Sequence, residues 1–91
     1  MKKTFISEQA KEFRTKYQLK NSTDRSTRSC QRNLIVEEFK EFLDAEGSLF
    51  RNHPDAANEA LKELADLVYV CYQYAANMGW FLDEALDRVH K

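Results

Sequence analysis

The chain has 91 residues, a formal net charge of −1 and two cysteines. A chain of this length forms one small domain, residues 1–91, with a limited core. Cys30 and Cys71 lack the spacing of a metal site or a disulfide framework, which favours a reduced, cytoplasmic protein. No apolar run is long enough for a signal peptide or a membrane span.

Basic residues are concentrated in the first third of the chain. Residues 1–33 contain nine Lys and Arg against three Asp and Glu, whereas residues 34–91 contain five against twelve. A basic segment of this kind can approach phosphates, but a solvated helix that balances the acidic remainder is the simpler interpretation. Nucleic-acid binding by this segment is a weaker hypothesis, because the acidic majority of the chain repels phosphates.

The sequence predicts an all-α fold of three or four helices. It contains two glycines and one proline, and no alternating apolar pattern of the length that a strand needs. The first predicted helix runs from about Ser7, its N-cap, to Lys20, and Ala10, Phe13 and Tyr17 form its apolar stripe. The polar segment 21–27 is predicted to be a mobile loop. Residues 1–28 are thus a basic helix and loop, and residues 29–90 carry the remaining helices.

The second predicted helix runs from about Ser29 to Ala45. On a helical wheel it has a wide apolar arc, formed by Ile35, Val36, Phe39, Phe42 and Leu43. Glu38 and Glu41 are three residues apart, so both carboxylates lie on one face, beside this arc. They are therefore predicted to be partly buried, whereas Glu37 lies nearer the polar side.

The third predicted helix runs from about Asp55 to Met78. Its apolar arc covers about half of the circumference, which is typical of a central helix that packs on more than one neighbour. Glu63 and Asp66, again three residues apart, lie on the remaining strip, which also holds Gln73 and Asn77 and which we call the acidic strip. A short fourth helix follows, from about Leu82 to the end of the sequence.

Short helices with this much apolar surface cannot cover all of it among themselves. A bundle completed by a second copy of the chain is a common solution. We therefore expect a small helical bundle that is completed by oligomerisation, as a homodimer or a homotetramer.

The two carboxylate pairs predict a metal site. Taken alone, each pair is more often ordinary surface charge. If the two long helices pack side by side, however, four carboxylates converge: Glu38, Glu41, Glu63 and Asp66. Such a cluster is costly to desolvate, and an oxygen-liganded cation, chiefly Mg²⁺, is the usual reason to build one. Lys40 and Lys62 lie off the acidic stripes, so we expect them to be imperfect neutralising partners.

A bound Mg²⁺ would explain why a further carboxylate stands beside the cluster. Mg²⁺ held by carboxylates commonly bridges substrate phosphates and activates a water for in-line attack. Glu37 is then a candidate to accept the proton of that water.

The motif residues resemble those of a known family. The chain reads Glu37-Glu38-x-x-Glu41, a gap of 21 residues, then Glu63-x-x-Asp66. This pattern, with its flanking apolar residues, is similar to the signature of the all-α nucleoside triphosphate pyrophosphohydrolases, the MazG-like and phosphoribosyl-ATP pyrophosphohydrolase-like proteins. The resemblance covers about residues 29–90.

The resemblance implies hydrolysis of a nucleoside triphosphate between its α and β phosphates, giving a monophosphate and pyrophosphate. It also implies a Mg²⁺ cofactor, with Mn²⁺ as an alternative, and assembly into dimers or tetramers. Roles in the family include clearance of noncanonical nucleotides, control of nucleotide pools and a step of histidine synthesis. Carried over to this chain, the metal ligands are Glu38, Glu41, Glu63 and Asp66. Glu37 becomes the general base or a ligand of an additional ion.

Two alternatives stay open at this point. One is phosphoribosyl-ATP pyrophosphohydrolase activity, which uses the same chemistry on another substrate. The other is a non-catalytic helical dimerisation module, because related sequences continue past the equivalent of His90 with a short tail that helps to hold the nucleotide. This sequence stops at Lys91.

Overall fold

The computed structural model describes residues 5–51 and 54–91. The helices are α1 (Ile6–Lys16), α2 (Arg25–Gly47), α3 (Ala56–Met78) and α4 (Leu82–His90), with a 3₁₀ turn at Ser48–Arg51. The described residues contain no strand, which confirms the prediction of an all-α fold. Within these residues, no helix combines the length and the apolar character that a membrane crossing requires.

The two long helices, α2 and α3, pack side by side and run in opposite directions. The residues that meet establish the antiparallel order. Arg28, early in α2, lies near Tyr74, late in α3, whereas Ser48, just after α2, lies near Glu59. Because α1 also packs on α3, α3 is the central helix that its broad apolar arc indicates.

The core is small and rich in alanine. Ala10 of α1 meets Tyr72 and Ala76 of α3, and Leu82 at the start of α4 packs against them. Small side chains let the helices approach closely at this point. The two aromatic residues of the stripe predicted for α1 stay exposed, so that stripe contributes one buried residue, Ala10.

The start of α1 shows that one prediction is wrong. Phe5, not Ser7, is the N-cap, and Ser7 is buried in the first turn. The Ser7 backbone N–H donates to Asp83 Oδ2 at 2.9 Å, and Ser7 Oγ accepts from the Asp83 backbone N–H at 3.3 Å. Each of α1 and α4 thus supplies the side chain that caps the first turn of the other. The Tyr72 hydroxyl joins them by donating to Asp83 Oδ1 at 2.6 Å.

The first helix is shorter than predicted. It ends at Lys16 rather than Lys20, because Gln18 adopts a left-handed φ of 55°. The Leu19 N–H then reaches back to the Arg14 carbonyl at 2.8 Å and closes the helix end.

The second helix is longer than predicted. It begins at Arg25 instead of Ser29, since the Asp24 carboxylate accepts a 2.7 Å hydrogen bond from the Thr27 N–H. This is an N-cap within a segment whose polar composition indicated a loop. Part of segment 21–27 is therefore helical.

The remaining loop is held against the end of α3. The Ser22 N–H donates to Asn77 Oδ1 at 2.9 Å, and Asn77 Nδ2 donates to the Ser22 carbonyl at 2.7 Å. These two bonds determine where α2 starts relative to α3, and the loop is anchored rather than free.

A buried arginine ties the same loop to both α1 and α3. Arg14 is 5% exposed, and its Nε donates to Asn21 Oδ1 at 2.6 Å. Its other nitrogens donate to Gln73, Asn77 and the Lys20 carbonyl at 3.2 to 3.3 Å. Burial lowers the pKa of Arg14, and four neutral acceptors compensate the lost hydration. Gln73 and Asn77, which the wheel placed on the acidic strip of α3, belong to this interior network.

Replacing Asp83 by alanine should destabilise the domain. The change removes the carboxylate that accepts hydrogen bonds from the Tyr72 hydroxyl and from the Ser7 N–H. Tyr72 is only 3% exposed. Buried donors left without a partner cost about 1–3 kcal/mol. Urea unfolding followed by circular dichroism measures the loss in unfolding free energy. The control is Asp87→Ala, which removes an exposed α4 carboxylate paired with Lys91 and should cost under about 0.5 kcal/mol. Equal losses of unfolding free energy in the two variants would contradict the role assigned to Asp83.

The same interaction should make the domain sensitive to acid. Burial alone raises the pKa of the Asp83 carboxyl, but hydrogen bonds from Tyr72 and Ser7 outweigh it and hold the pKa below the ordinary 3.8. A carboxyl whose pKa is lower in the folded state than in the unfolded state stabilises the fold at any pH above its unfolded-state pKa. That stabilisation is lost as the pH falls through the folded-state pKa. The difference in unfolding free energy between wild type and Asp83→Ala should therefore shrink below pH 3.8. A difference that grows on acidification would exclude this role.

Candidate functional site

Three of the four predicted ligands meet where α2 faces α3. Glu38 and Glu41 of α2 and Glu63 of α3 each offer a carboxylate oxygen, and these oxygens lie within 4.8 Å of one another. α2 supplies two of them because three residues span almost one helical turn. The antiparallel packing supplies the third. We call these three residues the carboxylate cluster.

Two oxygens of the carboxylate cluster are buried and have no hydrogen-bond partner among residues 5–51 and 54–91. They are Glu38 Oε2 and Glu63 Oε2, and the Glu63 side chain is 21% exposed. Buried carboxylate oxygens without partners are rare in native proteins, and a bound ion or an ordered water is the usual explanation. Glu38 is half-buried as predicted, whereas Glu41 is exposed because it lies at the open rim of the helix pair.

The fourth predicted ligand, Asp66, lies outside this group and is paired with a lysine. Lys62 Nζ is 3.3 Å from Asp66 Oδ2 and 3.5 Å from Glu63 Oε1. Lys62 thus contacts both acids of α3, although its place on the helical wheel lies off the acidic stripe. A lysine side chain is long and flexible, so the position of its Cα on a wheel does not limit what its ammonium reaches. The hydrogen bond to Asp66, then the charges of Asp66 and Glu63, raise the pKa of Lys62.

Glu37 is exposed and is not a member of the carboxylate cluster. It precedes Glu38 by one residue, which turns it about 100° away around α2. Its carboxylate therefore faces solvent at the edge of the site rather than the other three acids.

An open hollow of about 530 Å³ lies beside the carboxylate cluster. It is lined by Glu41, Asp44, Ala45, Ser48, Glu59, Lys62 and Glu63. The size is within the range of small-molecule sites. Two further acids, Asp44 and Glu59, were not among the predicted site residues. Helical spacing could have found them, since Asp44 follows Glu41 by three residues and Glu59 precedes Glu63 by four.

The residues present fit a hard divalent cation. Carboxylate oxygens are the ligands that Mg²⁺ prefers, and two ligands at its usual bond length lie at most about 4.2 Å apart. The oxygens of the carboxylate cluster, within 4.8 Å of one another, need only small side-chain shifts to meet that limit. The two unpartnered oxygens would then acquire the positive partner that they lack.

The comparisons with known proteins bear on the same residues. The model of the family described as phosphoribosyl-ATP pyrophosphohydrolase matches residues 1–91. Comparison with curated proteins and with solved structures found no match. Enzymes of this family belong to the all-α nucleoside triphosphate pyrophosphohydrolase superfamily and typically depend on a divalent metal. The chain, with its all-helical fold and carboxylate cluster, therefore belongs to the phosphoribosyl-ATP pyrophosphohydrolase family, and it is a nucleotide pyrophosphohydrolase, a hydrolase that acts on acid anhydrides.

Proposed function

We propose that the chain is a Mg²⁺-dependent hydrolase that cleaves a ribo- or deoxyribonucleoside triphosphate between its α and β phosphates, releasing a monophosphate and pyrophosphate. The observation that carries the proposal is the carboxylate cluster with its two buried, unpartnered oxygens. Mn²⁺ is an alternative cofactor, because it accepts the same oxygen ligands.

Glu38, Glu41 and Glu63 would hold the metal, and Asp66 would complete the set after its carboxylate leaves Lys62. When bound, the metal supplies positive charge to the phosphates and lowers the pKa of a coordinated water. Asp66 is 44% exposed as a side chain, so it can change partner without disturbing the core.

Lys62 would have two tasks. Without a metal, its ammonium offsets part of the negative charge of Glu63 and Asp66, at 3.5 and 3.3 Å. With a metal and a substrate in place, the same ammonium lies at the wall of the hollow, where it can bind phosphate oxygens.

Glu37 is the proposed general base. In the reaction, the oxygen of a water forms a bond to phosphorus, and the bond from phosphorus to the bridging oxygen breaks. The bonding pair leaves with that oxygen, and the proton of the water passes to a carboxylate. Glu37 is exposed, so it can take that proton and return it to solvent.

Phosphoribosyl-ATP is the second candidate substrate, and the family match over the whole chain favours it. The scissile bond is of the same type, so the carboxylate cluster serves either substrate. With a nucleoside triphosphate as substrate, we further propose a role in the clearance of noncanonical nucleotides, which rests on the family resemblance. We also propose a cytoplasmic location, which rests on the small number of cysteines.

We also propose that the chain works as a homodimer, with a homotetramer as the alternative. Large apolar residues are exposed at helical spacing on both long helices: Val36, Phe39 and Leu43 on α2, and Leu61, Leu64 and Val68 on α3. A second copy that packs on these residues would remove them from water.

Glu63→Gln should abolish turnover. The change keeps the size of the side chain but removes the charge from the residue that α3 contributes to the carboxylate cluster. We expect kcat to fall at least about 100-fold, as for changes at metal sites, and Mn²⁺ binding measured by calorimetry to weaken. Glu12→Gln, an exposed acid of α1, is the matched control and should behave as wild type. A wild-type rate in Glu63→Gln would refute the site.

The substrate is identified by release of pyrophosphate from a panel that contains the standard nucleotides, noncanonical nucleotides and phosphoribosyl-ATP. Each is assayed with Mg²⁺ and with a chelator. We expect release that depends on Mg²⁺ from at least one member. Release from phosphoribosyl-ATP alone selects the second candidate, and no release from any member supports the non-catalytic module.

Phe39→Ser should weaken the dimer. Phe39 is 47% exposed in a single chain, so the change removes apolar surface from the proposed interface and leaves the core intact. Analytical ultracentrifugation should show a dimer for the wild type and at least about a tenfold weaker association for the variant. Val89→Ser, at an exposed apolar residue of α4, is the control. A monomeric wild type would exclude the proposal.

A further inference from the structure

A second hollow lies toward the other end of the α2–α3 pair. It has a volume of about 180 Å³ and is lined by Arg25, Arg28, Ser29, Arg32 and Tyr74. It shares no lining residue with the hollow beside the carboxylate cluster. Arg28 and Arg32 precede Glu38 by ten and six residues, which corresponds to about 15 and 9 Å along a helix. This basic hollow is therefore a separate feature.

The three arginines of the basic hollow are exposed, and none forms an ion pair within residues 5–51 and 54–91. Their spacing of three and four residues places the guanidinium groups along one side of α2. The Asp24 carboxylate interacts electrostatically with Arg28 and accepts a hydrogen bond from the Thr27 N–H. The positive charge of the hollow is thus largely uncompensated.

This arrangement is unfavourable for the helix that carries it. Like charges three and four residues apart destabilise a helix. Cations near a helix N-terminus also oppose the macrodipole. The N-cap Asp24 offsets part of this effect, and the first turn of α2 contains no further acidic residue. A bound anion would relieve both effects at once.

The chemistry of the lining selects the anion. Guanidinium groups bind phosphate oxygens in a bidentate manner, and the Ser29 hydroxyl adds a donor. The Tyr74 ring, whose centroid is 6.1 Å from that of Trp80, offers an aromatic surface at the edge. The hollow is smaller than the roughly 300–1,000 Å³ typical of a drug-sized ligand, so it suits a phosphoryl group rather than a whole nucleotide. A nucleic acid would need a longer basic surface.

We propose that Arg25, Arg28, Arg32 and Tyr74 form a second anion site that binds a phosphoryl group. The group is supplied by inorganic pyrophosphate or by the phosphate of a nucleoside monophosphate. The site binds without a metal ion and does not depend on the carboxylate cluster.

Calorimetric titration of the full chain with inorganic pyrophosphate tests the proposal. The buffer contains a chelator, so that metal-mediated binding at the carboxylate cluster does not contribute. Arg28→Gln should weaken the affinity at least about tenfold, the effect of losing a charge-assisted hydrogen bond. Arg51→Gln, at an exposed arginine of the 3₁₀ turn, removes the same charge and should change affinity less than about twofold. Glu63→Gln should leave it unchanged, which separates this site from the proposed function.

The melting temperature distinguishes a binding role from a structural one. If Arg28 serves an anion, Arg28→Gln without ligand should melt at the wild-type temperature or a few degrees above it, because a repulsion has been removed. The rise in melting temperature that pyrophosphate gives the wild type should be lost. If Arg28 supports the fold, the variant melts lower than the wild type, and the proposal fails.

Two further titrations identify the source of the phosphoryl group and the competing ligand class. Weaker binding of AMP, but not of pyrophosphate, to Tyr74→Leu would assign the site to nucleotides, and unchanged binding of both would assign it to the inorganic anion.

The proposal is overturned if wild type does not bind either probe, or if Arg51→Gln loses as much affinity as Arg28→Gln. It is also overturned if a short single-stranded oligonucleotide binds more tightly than both probes and loses that binding in Arg28→Gln.

Discussion

The antiparallel packing of α2 against α3 is the constraint on which the candidate site depends. It brings carboxylate oxygens of Glu63, Glu38 and Glu41 within 4.8 Å of one another, so negative charge accumulates where the two helices meet. Such a contact opposes folding unless a cation compensates it. Lys62 provides part of that compensation, and a divalent ion is suited to provide the rest. The packing of α2 against α3 is therefore less favourable without a cation than with one.

Polar contacts outside the site hold this packing in register. The reciprocal caps between Ser7 and Asp83 join α1 to α4, and the Arg14 network joins the α1–α2 link to α3. A chain of this size buries little apolar surface, and its main core cluster includes two alanines. The hydrogen bonds between Ser22 and Asn77 then determine where α2 begins relative to α3.

Charge is distributed unevenly along α2. Its first two turns contain three arginines, and its second half contains five acids: Glu37, Glu38, Glu41, Asp44 and Glu46. Cations are attracted to one end of the helix and phosphates to the other. The arginine-lined hollow and the carboxylate cluster thus lie on oppositely charged parts of the same helix.

The sequence by itself determined the all-α class, the approximate positions of four helices and the spacing that puts Glu38 and Glu41 on one face. These follow from the 3.6-residue period, which is a local property of the chain. Tertiary structure alone decided that Ser7 pairs with a residue 76 positions away, that Lys62 holds Asp66, and that Gln73 and Asn77 are buried rather than part of the acidic strip. It also decided that Asp44 and Glu59 line the hollow. A helical wheel gives the direction of each side chain, but it contains no information on which helix lies opposite or how far a flexible side chain reaches.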